Sequence, residues 1–198
     1  MVAAVIGAVA YGYNHETKKS AATGQTTAST TSNKVAATTT KKSAPAVVPA
    51  KNYCTNNTLS QLVLVSISKQ HLWACDGTTT AYDSPVVTGM ESYAADLTPP
   101  GTYHIYAKET NIDLKGCDAT GCWDDPVSYW MPWLDNQYGQ YGFHDATWRT
   151  PSEFGNVNIY APYTASVVGS HGCVELPLAT AKWIYNWSVV GTTVTIES

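Results

Sequence analysis

This 198-residue chain predicts a mainly-β domain, sandwich or barrel-like, with one C-terminal helix and a disordered linker in front of it. Three observations carry that expectation. Twenty of the 22 aromatic residues fall in 53–198 and none in 14–52, so the fold lies in the last 146 residues. Within 53–198, short β-branched runs recur at close spacing between Gly, Pro and Asp turns, the pattern of an all-β domain. One segment only, Pro177–Ser188, carries apolar residues at helical spacing.

The elements follow in order. Met1–Tyr13 is uncharged and mostly apolar. A spanning helix needs roughly 20 apolar residues, and Ala8-Val9-Ala10 resembles a signal-peptide cleavage site. The expectation for 1–13 is a truncated membrane anchor or signal segment. Residues 14–52 contain nine Thr, four Ser and eight Ala among 39 positions, and no aromatic. Such a segment cannot offset its ordering entropy and is expected to be a tether, with a coil span of about 35 Å. Leu62–Ile67 reads as a strand, Ser68-Lys69-Gln70 as a turn and His71–Ala74 as a second strand. Asp76-Gly77 marks another turn before Ala81–Thr88. Thr98-Pro99-Pro100-Gly101 breaks the chain ahead of Thr102–Tyr106, which alternates as a half-buried strand does. Residues 109–139 are expected to be loop-rich. Gly142–His144 and Val157–Tyr160 are short strand candidates. Pro177 suits the first helical position, Leu178, Ala181, Ile184, Tyr185 and Ser188 share a face, and Thr192–Glu197 makes the last strand. No internal repeat is present.

The net charge of −4 is the sum of two unlike segments. Residues 14–52 hold six Lys and one Glu, hence +5, while 53–198 hold five bases and fourteen acids, hence −9. The acidic domain excludes a general nucleic-acid binder, which is basic.

All five cysteines lie in the folded part. Cys117 and Cys122 bracket a four-residue loop that can close as a disulfide in an oxidising compartment. Cys54 precedes the first strand and Cys75 ends the second, so those strands can bring the two together. Four cysteines allow three connectivities. A zinc site from the same four is the alternative, although the chain has no C-x2-C knuckle.

That leaves Cys173, in Gly169-Ser170-His171-Gly172-Cys173-Val174-Glu175-Leu176. A thiol is mostly protonated at neutral pH, so a nucleophilic cysteine needs a base or a positive neighbour. In extended chain His171 shares a face with Cys173. Gly172 lets the backbone approach a substrate and turn its amides toward a reacting carbonyl. His144, followed by Asp145, is the other candidate base. His15 lies in the linker, while His71 and His104 lie on strand candidates without an adjoining nucleophile. The alternative is a buried structural cysteine beside an ordinary hydrogen-bonded histidine.

Ser170-His171-Gly172-Cys173 closely resembles the S/T-H-G-C signature of the L,D-transpeptidases, the YkuD-domain family of bacterial cell-wall enzymes. Leu64–Trp73 resembles the family's opening hairpin. Val87-Thr88-Gly89 followed by Thr98-Pro99-Pro100-Gly101-Thr102-Tyr103 resembles its "STG…TPxGxY/F" segment. Phe143-His144-Asp145 resembles the upstream histidine segment, and Ala181–Ile196 the closing helix, turn and strand. The similarity covers roughly residues 60–197, and implies a YkuD-like fold over 53–198. Two features depart from the family pattern. Glu175 stands where the family usually has Asn or Arg. Twenty-five residues separate His144 from Ser170, which implies an inserted loop at Tyr160–Val168.

The resemblance implies that Cys173 is the nucleophile and His144 the general base and acid. It assigns the backbone carbonyl of Asp145 to orient the His144 ring, the amides of Gly172 and Cys173 to the oxyanion hole, and His171 to shaping the site. It implies a thioester acyl-enzyme formed on peptidoglycan stem peptides, donor and acceptor, giving a 3→3 cross-link with no metal or organic cofactor. Carbapenem-type β-lactams are expected inhibitors. Localisation outside the cytoplasm is expected, with the domain secreted or tethered to the membrane through 1–13. Further substrate-contact candidates are Ser170, Tyr141, Trp148, Arg149 as a partner for a substrate carboxylate, and Glu175 as a partner for the acceptor amine. Trp123, Trp130 and Trp133 line a cleft or lid, or belong to the core. The competing functions are an L,D-carboxypeptidase or endopeptidase passing the same acyl-enzyme to water, and a non-catalytic wall-binding module. A papain-like peptidase fits less well, because here the histidine precedes the cysteine.

Overall fold

A computed structural model of the protein describes residues 51–118, 121–162, 164–165 and 167–198. The expected anchor segment (1–13) and residues 14–50 of the expected linker lie outside the described residues. Among the described residues, nine strands form two sheets beside one helix.

The first sheet has strand order β3-β2-β1-β9-β4. β1 (Gln61–Ser66) and β2 (His71–Asp76) form the expected hairpin, in the register Val63↔Ala74 and Leu64↔Trp73. Within β1, Leu62–Val65 is an unbroken apolar run because both faces are covered there. Val63 and Val65 point into the main core. Leu64 points the other way and packs with Trp73, Cys54 and Cys75. The Cys54–Cys75 disulfide fastens the segment before β1 over that outer face. β3 (Thr79–Pro85) extends the sheet from β2. β9 (Thr193–Glu197) runs parallel to β1, and β4 (Gly101–His104) antiparallel to β9.

The second sheet has order β5-β6-β7-β8. Here the structure corrects the expectation of a loop-rich 109–139. β5 (Glu109–Asp118) and β6 (Gly121–Asn136) form one long antiparallel hairpin. Its Gly, Asp and Pro residues obscure the strand signal, and its register sets Cys117 opposite Cys122, which are joined as a disulfide. β7 (Gly139–Asp145) pairs with β6, and β8 (Val174–Leu176) runs parallel to β7. Val157–Tyr160 is not a strand: the chain turns there, with one isolated bridge between Asn158 and Val168. The expected insertion, 160–168, is irregular where it is described.

α1 (Leu178–Trp187) begins one residue later than expected, with Pro177 as its N-cap. Thr180, Ala181 and Ile184 are its buried face, whereas Leu178 is 45% exposed. Ala181 and Ile184 join Val63, Val65, Leu72, Phe143, Val174, Leu176, Val194 and Ile196 in a core shared by both sheets and the helix. Fully burying one such large apolar side chain contributes about 1.5–3 kcal/mol. Among the described residues no helix is long and apolar enough to cross a membrane.

The β7–β8 register is what builds the site. Phe143 pairs with Val174, and both are fully buried in the core. Side chains alternate along a strand, so the next pair, His144 and Glu175, projects from the opposite face. Cys173, two residues before Glu175, joins that face.

Candidate active site

The Ser170–Cys173 turn is held from within and from behind. Ser170 Oγ donates to the Cys173 carbonyl at 2.5 Å and accepts the Gly172 N–H at 3.1 Å. The Gly172 amide, one of two expected in an oxyanion hole, is therefore already engaged in this structure. Gly172 has φ +107°, and a Cβ there would stand 2.5 Å from the Tyr141 ring. Both the backbone and the space require glycine.

Thr98, fully buried, supports the turn from behind. It accepts the Gly89 N–H at 2.7 Å and donates to the Gly172 carbonyl at 2.8 Å. Gln70 in turn holds Thr88 through its own amide, accepting the Thr88 N–H at 2.9 Å and donating to Thr88 Oγ1 at 2.5 Å. Backbone bonds continue the brace: Ser170 N–H to the Thr88 carbonyl at 2.9 Å, and Glu175 N–H to the Val87 carbonyl at 2.8 Å. Gln70, Gly89 and Thr98 were not among the site residues expected from sequence. Their only signal there was membership of the segments that resemble the family.

His144 is 4% exposed. Its Nδ1 lies 3.0 Å from the Asp145 carbonyl oxygen. A carbonyl can only accept, so in the neutral ring Nδ1 carries the proton and Nε2 keeps a lone pair. Asp145's carboxylate does other work: its Oδ1 accepts the Ser128 and Tyr129 N–H groups, both at 2.8 Å, and ties β7 to β6. The His144 ring lies between Trp130 and Trp148, at 6.0 and 5.9 Å between centroids.

Cys173 is half-buried and is the free cysteine of the chain. Its Sγ donates weakly to the Gln140 carbonyl at 3.8 Å. Burial pushes the thiol up to about 12; a backbone hydrogen bond from Gly142 opposes this and Glu175 adds to it. At neutral pH the resting sulfur is thus a thiol, and forming the thiolate calls for a proton acceptor. Cys173 and His144 share a cavity of about 210 Å³ with Tyr141, Trp123, His171 and Glu175. A second cavity, about 490 Å³, reaches Cys173 from the β5 side, past Trp130 and Gln140.

The remaining expected residues fall into place unevenly. Tyr141 is 3% exposed, packs against Gly172 and donates to the Ala95 carbonyl at 3.2 Å. His171 is exposed and stacks on Trp123 at 4.2 Å with an 8° interplanar angle. Gly116, opposite Trp123 in the hairpin, makes room for that ring: a Cβ there would lie 2.0 Å from it. Trp130 and Trp133 are core residues, each 3% exposed. Trp148 is 45% exposed, beside the His144 ring but outside the lining of the shared cavity.

Arg149 and Glu175, expected as partners for a substrate carboxylate and an acceptor amine, are bound to each other. Arg149 Nε donates to Glu175 Oε2, its Nη1 donates to the Val168 carbonyl at 3.1 Å, and Nη1 lies 3.6 Å from Glu153. Both Arg149 and Glu175 side chains are under 10% exposed. Glu175 does line the cavity, but as a carboxylate already bound to a guanidinium. Among the described residues no group of three or more His, Cys, Asp or Glu could hold a metal ion.

Two packed sheets with one helix, and a cavity lined by both a free cysteine and a histidine whose Nδ1 is held by the following carbonyl, define a class of cysteine-centred β domain. The chain belongs to the YkuD family, the L,D-transpeptidase catalytic domain, whose model matches residues 60–196. YciB of Bacillus subtilis (strain 168), provisionally named an L,D-transpeptidase, is 23% identical over 121 residues, covering 61% of this chain and 57% of YciB. A crystal structure of a cysteine-to-serine mutant of the Enterococcus faecium L,D-transpeptidase is 27% identical with a TM-score of 0.56, covering 69% of this chain and 49% of that one. The catalytic domain of the E. faecium L,D-transpeptidase, solved by NMR and acylated by ertapenem, is 28% identical with a TM-score of 0.54, covering 69% of this chain and 95% of that domain. The present chain thus spans about half the length of the longer relatives it matches.

Proposed function

We propose that the protein is a peptidoglycan L,D-transpeptidase that forms 3→3 cross-links through a thioester on Cys173. The observation that carries this reading is one cavity lined by both a free thiol and a histidine whose Nδ1 is fixed, which leaves Nε2 as the base. Family membership and an ertapenem-acylated relative support it.

In this reading His144 Nε2 takes the Cys173 thiol proton as the sulfur attacks the carbonyl that joins the third stem residue to the terminal D-Ala. Coupling the two events avoids a free thiolate, which burial disfavours. The imidazolium returns the proton to the D-Ala nitrogen; the C–N bond breaks and D-Ala leaves. A side-chain amine of a neighbouring stem then attacks the thioester, His144 takes its proton, and the thiol is regenerated as the new amide forms. Backbone amides at the Gly172–Cys173 corner would receive the oxyanion, after Ser170 Oγ yields the Gly172 N–H. One such donor contributes roughly 3–4 kcal/mol in model enzymes. Carbapenems would acylate Cys173 by the same attack. The two disulfides and the apolar segment with its polar tether support work outside the cytoplasm, secreted or held near a membrane.

The test is product analysis with a disaccharide-tetrapeptide substrate. Cross-linked dimers that disappear in Cys173→Ala are expected. Tripeptide alone would replace this reading by an L,D-carboxypeptidase, and unchanged substrate with intact, folded protein by a wall-binding module.

A further inference from the structure

Glu175 puts a carboxylate where a thiolate has to form. It follows Cys173 by two residues, lies opposite His144 in the β7–β8 register and is 6% exposed. An anion so close opposes ionisation of the sulfur. Yet Glu175 is bound to Arg149, which comes from the turn after β7 and is the only arginine of the chain.

The other charged or titratable groups around the sulfur come from every side. β7 supplies His144 and Tyr141, the turn before β8 supplies His171, and the segment before β4 supplies Asp96. The hairpin supplies Lys115 and Asp125 to one cavity, and Glu109 and Asp113 to the other. Lys115 lies 2.8 Å from Asp124 and 3.9 Å from Asp113, so its charge is engaged within the hairpin. Arg149 is itself held in place, by the Val168 carbonyl and by Glu153, whose carboxylate Thr150 secures through its N–H and hydroxyl, both at 2.7 Å.

The geometry points to Arg149 as a positioning residue that acts through Glu175: by neutralising the carboxylate beside Cys173, it keeps thiolate formation within reach of His144. This inference rests on Cys173 being the reactive group. It differs from a merely structural tie between the 146–153 segment and β8, because a structural tie would leave the reactivity of the sulfur unchanged.

The test measures alkylation of Cys173 by iodoacetamide in the full, disulfide-intact chain, followed by mass spectrometry at pH 8. Below the thiol's own range the rate tracks the thiolate fraction. Arg149→Gln is expected to slow alkylation about tenfold, the equivalent of one pH unit. Adding Glu175→Gln is expected to restore the rate to within threefold of wild type. A wild-type rate in Arg149→Gln, or a double variant as slow as Arg149→Gln, overturns the inference. Where Arg149→Gln does not fold, Glu175→Gln alone decides. A rise of less than threefold fits a carboxylate already neutralised, and a larger rise overturns the inference. Failure of the functional reading looks different: alkylation follows this pattern while no carbapenem or stem peptide acylates the sulfur.

Discussion

Replacing Gly172 by alanine tests how the Ser170–Cys173 turn is held. The backbone there has φ +107°, and the added Cβ would lie 2.5 Å from Tyr141 Cε1 and 3.0 Å from Cδ1. Positive φ costs an L-residue about 1–2 kcal/mol. Forcing a methyl into a filled space adds about 1–3 kcal/mol. Tyr141 cannot easily swing aside, since it is 3% exposed, bonded to the Ala95 carbonyl and packed beside Trp133. The total is about 2–5 kcal/mol, to be read from urea unfolding with an unchanged m-value. Relief by a shift of the turn would move Cys173, so carbapenem acylation should slow at least tenfold as well. A loss below about 0.5 kcal/mol with normal acylation would refute the account of the turn.

Two further outcomes follow from the same geometry. Thr98→Val keeps the shape but leaves the Gly89 N–H and the Gly172 carbonyl without their buried partner; a loss of about 2–4 kcal/mol is expected in urea unfolding, together with slower acylation. The Cys173 thiol is raised from 9.0 to about 12 in the folded state, so the stability it preserves is complete below pH 9 and is lost as the pH climbs toward 12. Between pH 9 and 10 wild type should lose about 1 kcal/mol more than Cys173→Ala, and parallel curves would contradict the shift.

How far the fold could be read from sequence depended on whether an element carries its own signal. β1 and β2 did, because apolar and β-branched residues fill both faces of β1 and the turn at Gln70 separates them. The helix did, through Ala181 and Ile184 one turn apart. The β5–β6 hairpin did not. Its Gly116, Pro126 and acidic residues look like loop, and only the long register between the two strands makes it sheet. β8 is three residues long, too short for any periodic signal, and exists because β7 and Val87 pair with it.

The site was legible where it is local. Ser170–Cys173 and His144–Asp145 are contiguous motifs, and the Nδ1 bond to the Asp145 carbonyl joins neighbours in sequence. What was hidden is long-range. Arg149 and Glu175 are 26 residues apart, and each alone invites a substrate role. Thr98 reaches Gly172 across 74 residues, and nothing in Thr98-Pro99-Pro100-Gly101 beyond its breaking of the chain announces that it braces the Ser170–Cys173 turn.

The proposed function depends on a covalent acyl-enzyme at Cys173. Intact-protein mass spectrometry of the full chain incubated with a carbapenem tests it most directly. One stoichiometric adduct is expected, mapped to Cys173 and absent from Cys173→Ala. No adduct on folded wild-type protein, or an adduct that persists in Cys173→Ala, would contradict the account.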